Sequence, residues 1–331
     1  MHQCSHVTRN SANKLIVILV GGSGGLLWNK TGITILSSPQ VYGVVGIYID
    51  ANNTMYIADE TNAVIWKLSS NTSVPTIVAG TYGIMSSDNN EFYYPQDVYI
   101  DKKGNMYVSD SINNRIQKFI NGSLNGITIA GSSTGDSGST LNKLDTQEFL
   151  SFDDTETYVY IADTNNQRIM RYFTNSSLGT NGVNVAGGTQ GNTNTKLNTP
   201  FGVAYKSSIS NDLFITNYDG HSVIRWTLGN SSGTFIAGIP GTSGSNATSL
   251  NSPSAIKLDN YLNVFVTDSG NNRIQLFCAN SSVGITIAGT GTSGSGSMQL
   301  NNPLGFAFDS AMNLYVADRS NHRIQKFMKL T

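Results

Sequence analysis

Four aspartates in this chain stand five residues ahead of an arginine: Asp110 before Arg115, Asp163 before Arg168, Asp268 before Arg273 and Asp318 before Arg323. Asp59 and Asn217 hold the same place in two further copies, with Val64 and Val223 read in place of the arginine. Carboxylates recurring at one period could gather a cation about an axis or act as acid–base groups. The spacing favours a structural use. A carboxylate ending one strand can accept turn N–H groups and pair with a guanidinium across a tight turn. Beside Asn217 both charges are lost together, which fits such a pair.

The acids sit in a block that recurs six times at about 50 residues, a period typical of radial arrays. An apolar strand ends in Asp, turn residues follow, then a segment of the type MYVSD, a polar turn, and RIQKF. Clear copies are NMYVSDSINNRIQKF (Asn105–Phe119), YVYIADTNNQRIMRY (Tyr158–Tyr172), NVFVTDSGNNRIQLF (Asn263–Phe277) and NLYVADRSNHRIQKF (Asn313–Phe327). Weaker copies run Thr54–Leu68 and Asp212–Trp226. Five copies are followed by a short strand ending in Ala-Gly, as in GITIAG (Gly126–Gly131 and Gly284–Gly289). Each unit thus holds four short strands, a to d, with Met106 and Val108 on one face and Tyr107 and Ser109 on the other. Asn-Gly pairs at Asn121-Gly122, Asn125-Gly126 and Asn181-Gly182 mark turns between strands c and d. Repeated four-stranded antiparallel units imply a propeller.

The D-S-x-N-x-R-I-Q-K-F block and trailing G-I-T-I-A-G resemble NHL repeats over nearly all of Gly32–Phe327. The fold expected is all-β: a six-bladed β-propeller of NHL or TolB-like type. There are six a-b-c sets but five following d strands. The lone segment GITIL (Gly32–Leu36) ahead of the first set is expected to complete blade six, which removes an open edge. Residues 1–28 read as an irregular leader or weak signal segment, and 29–331 as the propeller, five full repeats plus one split between the ends. Lys14–Leu27 is apolar enough for a signal, but Gly interrupts it and no A-x-A site follows.

In propellers strand a lines the axis. Its first inward position reads Gly46, Asp97, Phe149, Gly202, Ala255 and Gly305; two residues on come Tyr48, Tyr99, Ser151, Ala204, Lys257 and Ala307. Asp97 and Lys257 are the charged exceptions, in blades that face each other. The candidate binding residues are Asp97, Glu148, Lys257, His221 and His322, with no catalytic residue, no metal ligand set and no cofactor assigned. Asn-x-Ser/Thr sequons fall at Asn29, Asn52, Asn71, Asn121, Asn175, Asn230, Asn246 and Asn280. All but Asn246 fall in c–d or a–b turns, which share one face. Either turn chemistry has been copied by duplication or that face is glycosylated in a secreted protein. The opposite face, with b–c turns and long d–a loops, is the expected binding surface.

Net charge is −1 and only 12% of the 331 residues are charged, against about 25% in ordinary domains. Without a basic run, nucleic acid is an unfavoured partner. No apolar run of about 18 residues occurs to span a membrane. Cys4 and Cys278 are expected as two unpaired thiols. The resemblance implies a non-catalytic recognition scaffold, here expected to bind a protein or glycan as a monomer; the sequons favour an extracellular setting, with a cytoplasmic one the alternative. Two alternatives remain open. NHL domains of RING/B-box ubiquitin ligases recognise substrates or RNA, but this chain lacks the cysteines and helices of the ligase parts. Metal-dependent propeller enzymes are the other. Amidating lyases use a three-histidine zinc site, whereas only His221 and His322, of four histidines including His2 and His6, lie in the repeats. For a lactonase-like axial calcium, Asp97 and Glu148 are the sparse candidates.

Overall fold

The computed structural model describes residues 27–330 and, ahead of them, two short antiparallel strands, Val7–Arg9 and Leu15–Val17. His2, Cys4, His6 and the other residues of 1–26 apart from those two strands lie outside the described residues. Six four-stranded antiparallel sheets stand around one axis. Strands a to d of blade two are Pro95–Ile100, Met106–Asp110, Arg115–Phe119 and Gly126–Gly131. The other blades repeat that order, and among the described residues helix is confined to two three-residue 3-10 turns.

Blade six is completed by the N-terminal segment. Its strands Phe306–Phe308, Leu314–Asp318 and Arg323–Phe327 are followed in the sheet by Ile33–Ser37. Ile324 pairs with Leu36 and Lys326 with Ile33. Trp28 extends the seam: it bridges Lys329, and its indole N–H donates to the Met312 carbonyl at 2.8 Å. The buried Trp28 ring also meets Phe265 edge-on at 6.0 Å.

The strand alternation does not separate a wet face from a dry one. Met106–Asp110 is buried throughout, because each blade is covered on both faces by neighbours, and the hydrophobic clusters lie between blades. Tyr107, Ile129 and Leu144, for example, pack with Leu150, Val159 and Tyr172 of blade three. Two sequence readings need correction. The residue opposite Asn217 is Ser222, not Val223, because the turn of blade four has the same length as in the other blades. Cys278 is disulfide-bonded, so the expectation of two unpaired thiols fails.

Candidate functional site

The repeated Asp–Arg pair organises the loop face. Arg115 Nε donates to Asp110 Oδ2 at 2.7 Å, both side chains being inaccessible to solvent. The far end of the guanidinium donates to the carbonyls of Ser87, Asp88 and Glu91, in the d–a loop that enters blade two. Asp110 Oδ1 accepts the N–H of Tyr93 at 2.7 Å. Arg168 with Asp163, Arg273 with Asp268 and Arg323 with Asp318 repeat the arrangement at 2.6–2.7 Å. Arg323, for instance, holds the carbonyls of Ser295, Gly296 and Gln299. Each pair clamps an otherwise irregular loop by its backbone. Where Val64 replaces arginine, the Trp66 indole N–H reaches Asp59 at 3.0 Å instead.

A second device links neighbouring blades. The residue ahead of strand c has positive φ in every blade: Ala63, Asn114, Gln167, His221, Asn272 and His322, at 50–56°. A side-chain acceptor there reaches the next blade. Asn114 accepts from Thr146 N–H at 2.8 Å, Gln167 from Thr199 at 2.7 Å and Asn272 from Asn302 at 2.8 Å. His221 Nδ1 does the same for Ser252 at 3.1 Å. His322 Nδ1 meets the Tyr42 carbonyl at 2.6 Å, and the two rings stack at 3.9 Å. Both histidines therefore occupy pin positions between blades. A polar side chain at this register in five of the six aligned repeats, four of them accepting from the next blade, is the signal that would have revealed the device. Ala63 alone has no acceptor.

At the axis, Asp97 is buried with both oxygens engaged: Oδ1 by the Val98 N–H and Oδ2 by the Leu150 N–H of blade three, each at 3.0 Å. Burial pushes its carboxyl up to about 6, opposed by the charge of Lys257 and by those N–H groups. The channel is filled rather than open, since Phe149 packs with Val45, Ala255 and Leu304.

Above this plug all six blades meet in a polar mouth on the b–c side. Arg319 Nε donates to Glu60 Oε1 at 2.6 Å, and Gln96 Nε2 to Glu60 Oε2 at 3.0 Å. Glu148 lies beside them, 8% exposed, and its Oε2 has no hydrogen-bond partner. Burial pushes its carboxyl well above the ordinary glutamate range; the Glu60 charge adds to this and Arg319 opposes it. Phe201 stacks on Tyr218 at 5.1 Å, and Tyr218 bonds Ser252 of blade five. Glu60, Tyr218 and Arg319 follow the motif acid, a place that also holds Ser111, Thr164 and Ser269, and Gln96 lies in strand a; no residue type recurs there to mark a site. Glu148 was singled out; Asp97 is not brought into the same cluster. Among the described residues no three His, Cys, Asp or Glu gather where they could hold a metal ion.

The same face carries apolar side chains around blades one and two. Tyr82, Ile84, Met85, Tyr93, Tyr94 and Ile112 are each 37–54% exposed. The backbone joins their segments: Met85 bridges Phe92, and the Ile112 N–H donates to the Tyr93 carbonyl. The Tyr93 and Tyr94 rings stack at 5.4 Å. All eight sequon asparagines are exposed.

The NHL repeat family model matches residues 92–119 and 300–327. No curated protein matches the chain. Solved structures of similar fold include a gluconolactonase from Xanthomonas campestris, 10% identical, with a TM-score of 0.65 over 93% of this chain and 99% of that one. Virginiamycin B lyase from Staphylococcus aureus is 15% identical, with a TM-score of 0.57 over 90% and 98%. An auxiliary nutrient binding protein from Bacteroides ovatus is 13% identical, with a TM-score of 0.61 over 98% and 83%. At these identities the likeness is one of fold.

Proposed function

We propose that this six-bladed propeller of NHL repeats is a non-catalytic binding module whose ligand, a protein or a glycan, docks on the face of b–c turns and d–a loops. The observation that carries the reading is the cluster of Tyr82, Ile84, Met85, Tyr93, Tyr94 and Ile112 on clamped loops beside the axial mouth. Exposed tyrosines held by a rigid frame supply contact area at low entropic cost. The aromatic and aliphatic mixture favours a protein surface. The test is capture by the intact propeller against a variant with Tyr82, Tyr93 and Ile112 changed to Ser. A control variant carries Leu124→Ser and Val283→Ser on the other face. A partner that binds wild type and control, but at least about tenfold more weakly to the patch variant, is expected. Partners retained by the patch variant would remove the face from consideration.

An extracellular setting is part of the same proposal. It is supported by the eight exposed sequons, seven of them on the face away from the patch, and by the disulfide at Cys278. Secreted material should lose mass on treatment with an N-glycosidase; an unchanged mass removes the shielding argument.

A metal-dependent enzyme is the second reading, favoured by one observation: the unpartnered oxygen of Glu148 at the axial mouth. The lactonase and lyase folds give it context. Stoichiometric calcium or zinc in purified protein, lost on Glu148→Gln, would move the function to that class.

A further inference from the structure

Two sets of residues ring the axis at its upper end. The second residue of each strand a reads Val45, Gln96, Glu148, Phe201, Ser254 and Leu304, and the residue after each motif acid reads Glu60, Ser111, Thr164, Tyr218, Ser269 and Arg319. Strand pairing holds the two sets in one register, with Val44 opposite Asp59, Pro95 opposite Asp110 and Gln147 opposite Asp163.

The polar members of these rings spend their donors on one another or on the backbone. Gln96 and Arg319 both give theirs to Glu60. The Thr164 hydroxyl donates to the Pro200 carbonyl at 2.8 Å. The Ser254 and Ser269 hydroxyls meet at 2.7 Å, and Ser254 reaches the Leu304 carbonyl at 2.9 Å. Tyr218 bonds Ser252. None of these donors goes to Glu148. Among the described residues its Oε2 is the one buried carboxylate oxygen without a partner. Asp97, Glu91 and the clamp aspartates, buried as deeply, are all answered. Arg319 does not supply the missing charge, because Glu60 already neutralises it.

Two further features bear on what the mouth accepts. Its flank in blade four is aromatic: Phe201 stacks on Tyr218, and Phe149 tilts against Phe201 at 5.6 Å. The loops of the same face are acidic. Outside the clamps, Asp88, Asp136, Asp145 and Asp219 reach solvent there, against Lys143 and Lys196.

We propose that the axial mouth takes a lysine side chain of the docked protein, its ammonium on Glu148 and its alkyl stem along Phe201 and Tyr218. This rests on the loop-face reading and names the residue that anchors the partner. An ammonium brings the missing donor and the missing countercharge in one compact group. The lysine stem is apolar and packs on aromatic rings while its head stays on a polar group. Burial opposes ionisation of Glu148, and an arriving cation offsets that cost. The acidic loops steer a basic surface towards the mouth.

The test uses the full chain in an NMR titration, with Nα-acetyl-lysine methylamide and its norleucine counterpart as probes. The second probe keeps the stem and lacks the ammonium. The lysine probe should bind at least about tenfold more tightly, the difference one charge-assisted bond supplies. Glu148→Gln should bring the two within about twofold, while the Leu124→Ser, Val283→Ser control keeps the preference. Circular dichroism checks that each variant folds. Equal binding of the two probes, no binding of either, a preference that survives Glu148→Gln, or displacement of the lysine probe by stoichiometric calcium overturns the proposal. A captured partner that binds Glu148→Gln as it binds wild type removes this anchor and leaves the loop-face reading standing. A lysine preference abolished by Glu148→Gln, with no partner lost from the Tyr82/Tyr93/Ile112 variant, removes that reading and leaves the site.

Discussion

Blades two and six are the two regions matched by the NHL repeat model, and they share more than a pattern. Both have the arginine clamp on the entering loop, the lysine over tyrosine, and the tyrosine hydroxyl on a turn aspartate. They part at four places. Blade two puts Asp97 on the axis where blade six has Gly305, and Ser111 after the motif acid where blade six has Arg319. Its entering loop is rich in tyrosine, isoleucine and methionine, whereas the loop into blade six is mostly Gly, Ser and Thr. Its outer strand is local, whereas that of blade six comes from the other end of the chain. Shared residues build the frame; unshared ones sit on the axis and on the loops, where binding is decided.

The strongest way to break this comparison is at the clamp. Arg115→Met and Arg323→Met each leave a buried aspartate without its partner, and each should cost about 3–5 kcal/mol in denaturant unfolding. If the clamps are frame and nothing else, the two losses agree to within about 1 kcal/mol. A much smaller loss at Arg115 would mean that the tyrosine-rich loop holds itself.

The axial difference should appear as the share of the pH dependence that Asp97 adds. The Asp97 carboxyl is raised in the fold from 3.8 to about 6, so between those values the folded protein binds more protons than the unfolded chain. Its contribution is therefore present at low pH and lost as pH rises through about 6. Unfolding free energy should fall by about 2 kcal/mol from pH 4.5 to 7.5 on this account, and Asp97→Asn should flatten that share of the slope. Glu148 and the clamp aspartates Asp110, Asp163, Asp268 and Asp318 shift in the same direction; a slope unaltered by Asp97→Asn would assign the effect to that set.

The smallest effect concerns the inter-blade pins. Asn272→Ala gives the junction of blades five and six the character that Ala63 gives that of blades one and two. Losing the acceptor for Asn302 N–H should cost about 1–2 kcal/mol, read as a lower melting temperature.

Blade number and closure were legible in the sequence because they rest on a period and on one displaced copy of the outer strand, GITIL. The clamps were legible because Asp and Arg recur five residues apart. The axial mouth was not, since Glu60 and Arg319 are 259 residues apart and their shared repeat position holds Ser, Thr or Tyr in the other copies.

The seam in blade six bears on how the molecule comes to be. Thr34 meets Gln325, 291 residues further on, so at ribosomal speed the first strand waits tens of seconds for its neighbour. Until then it is an orphan edge beside five half-built relatives of its true partner, each offering a similar RIQKF surface. The ring closes only once Arg323–Phe327 has been made and takes that edge.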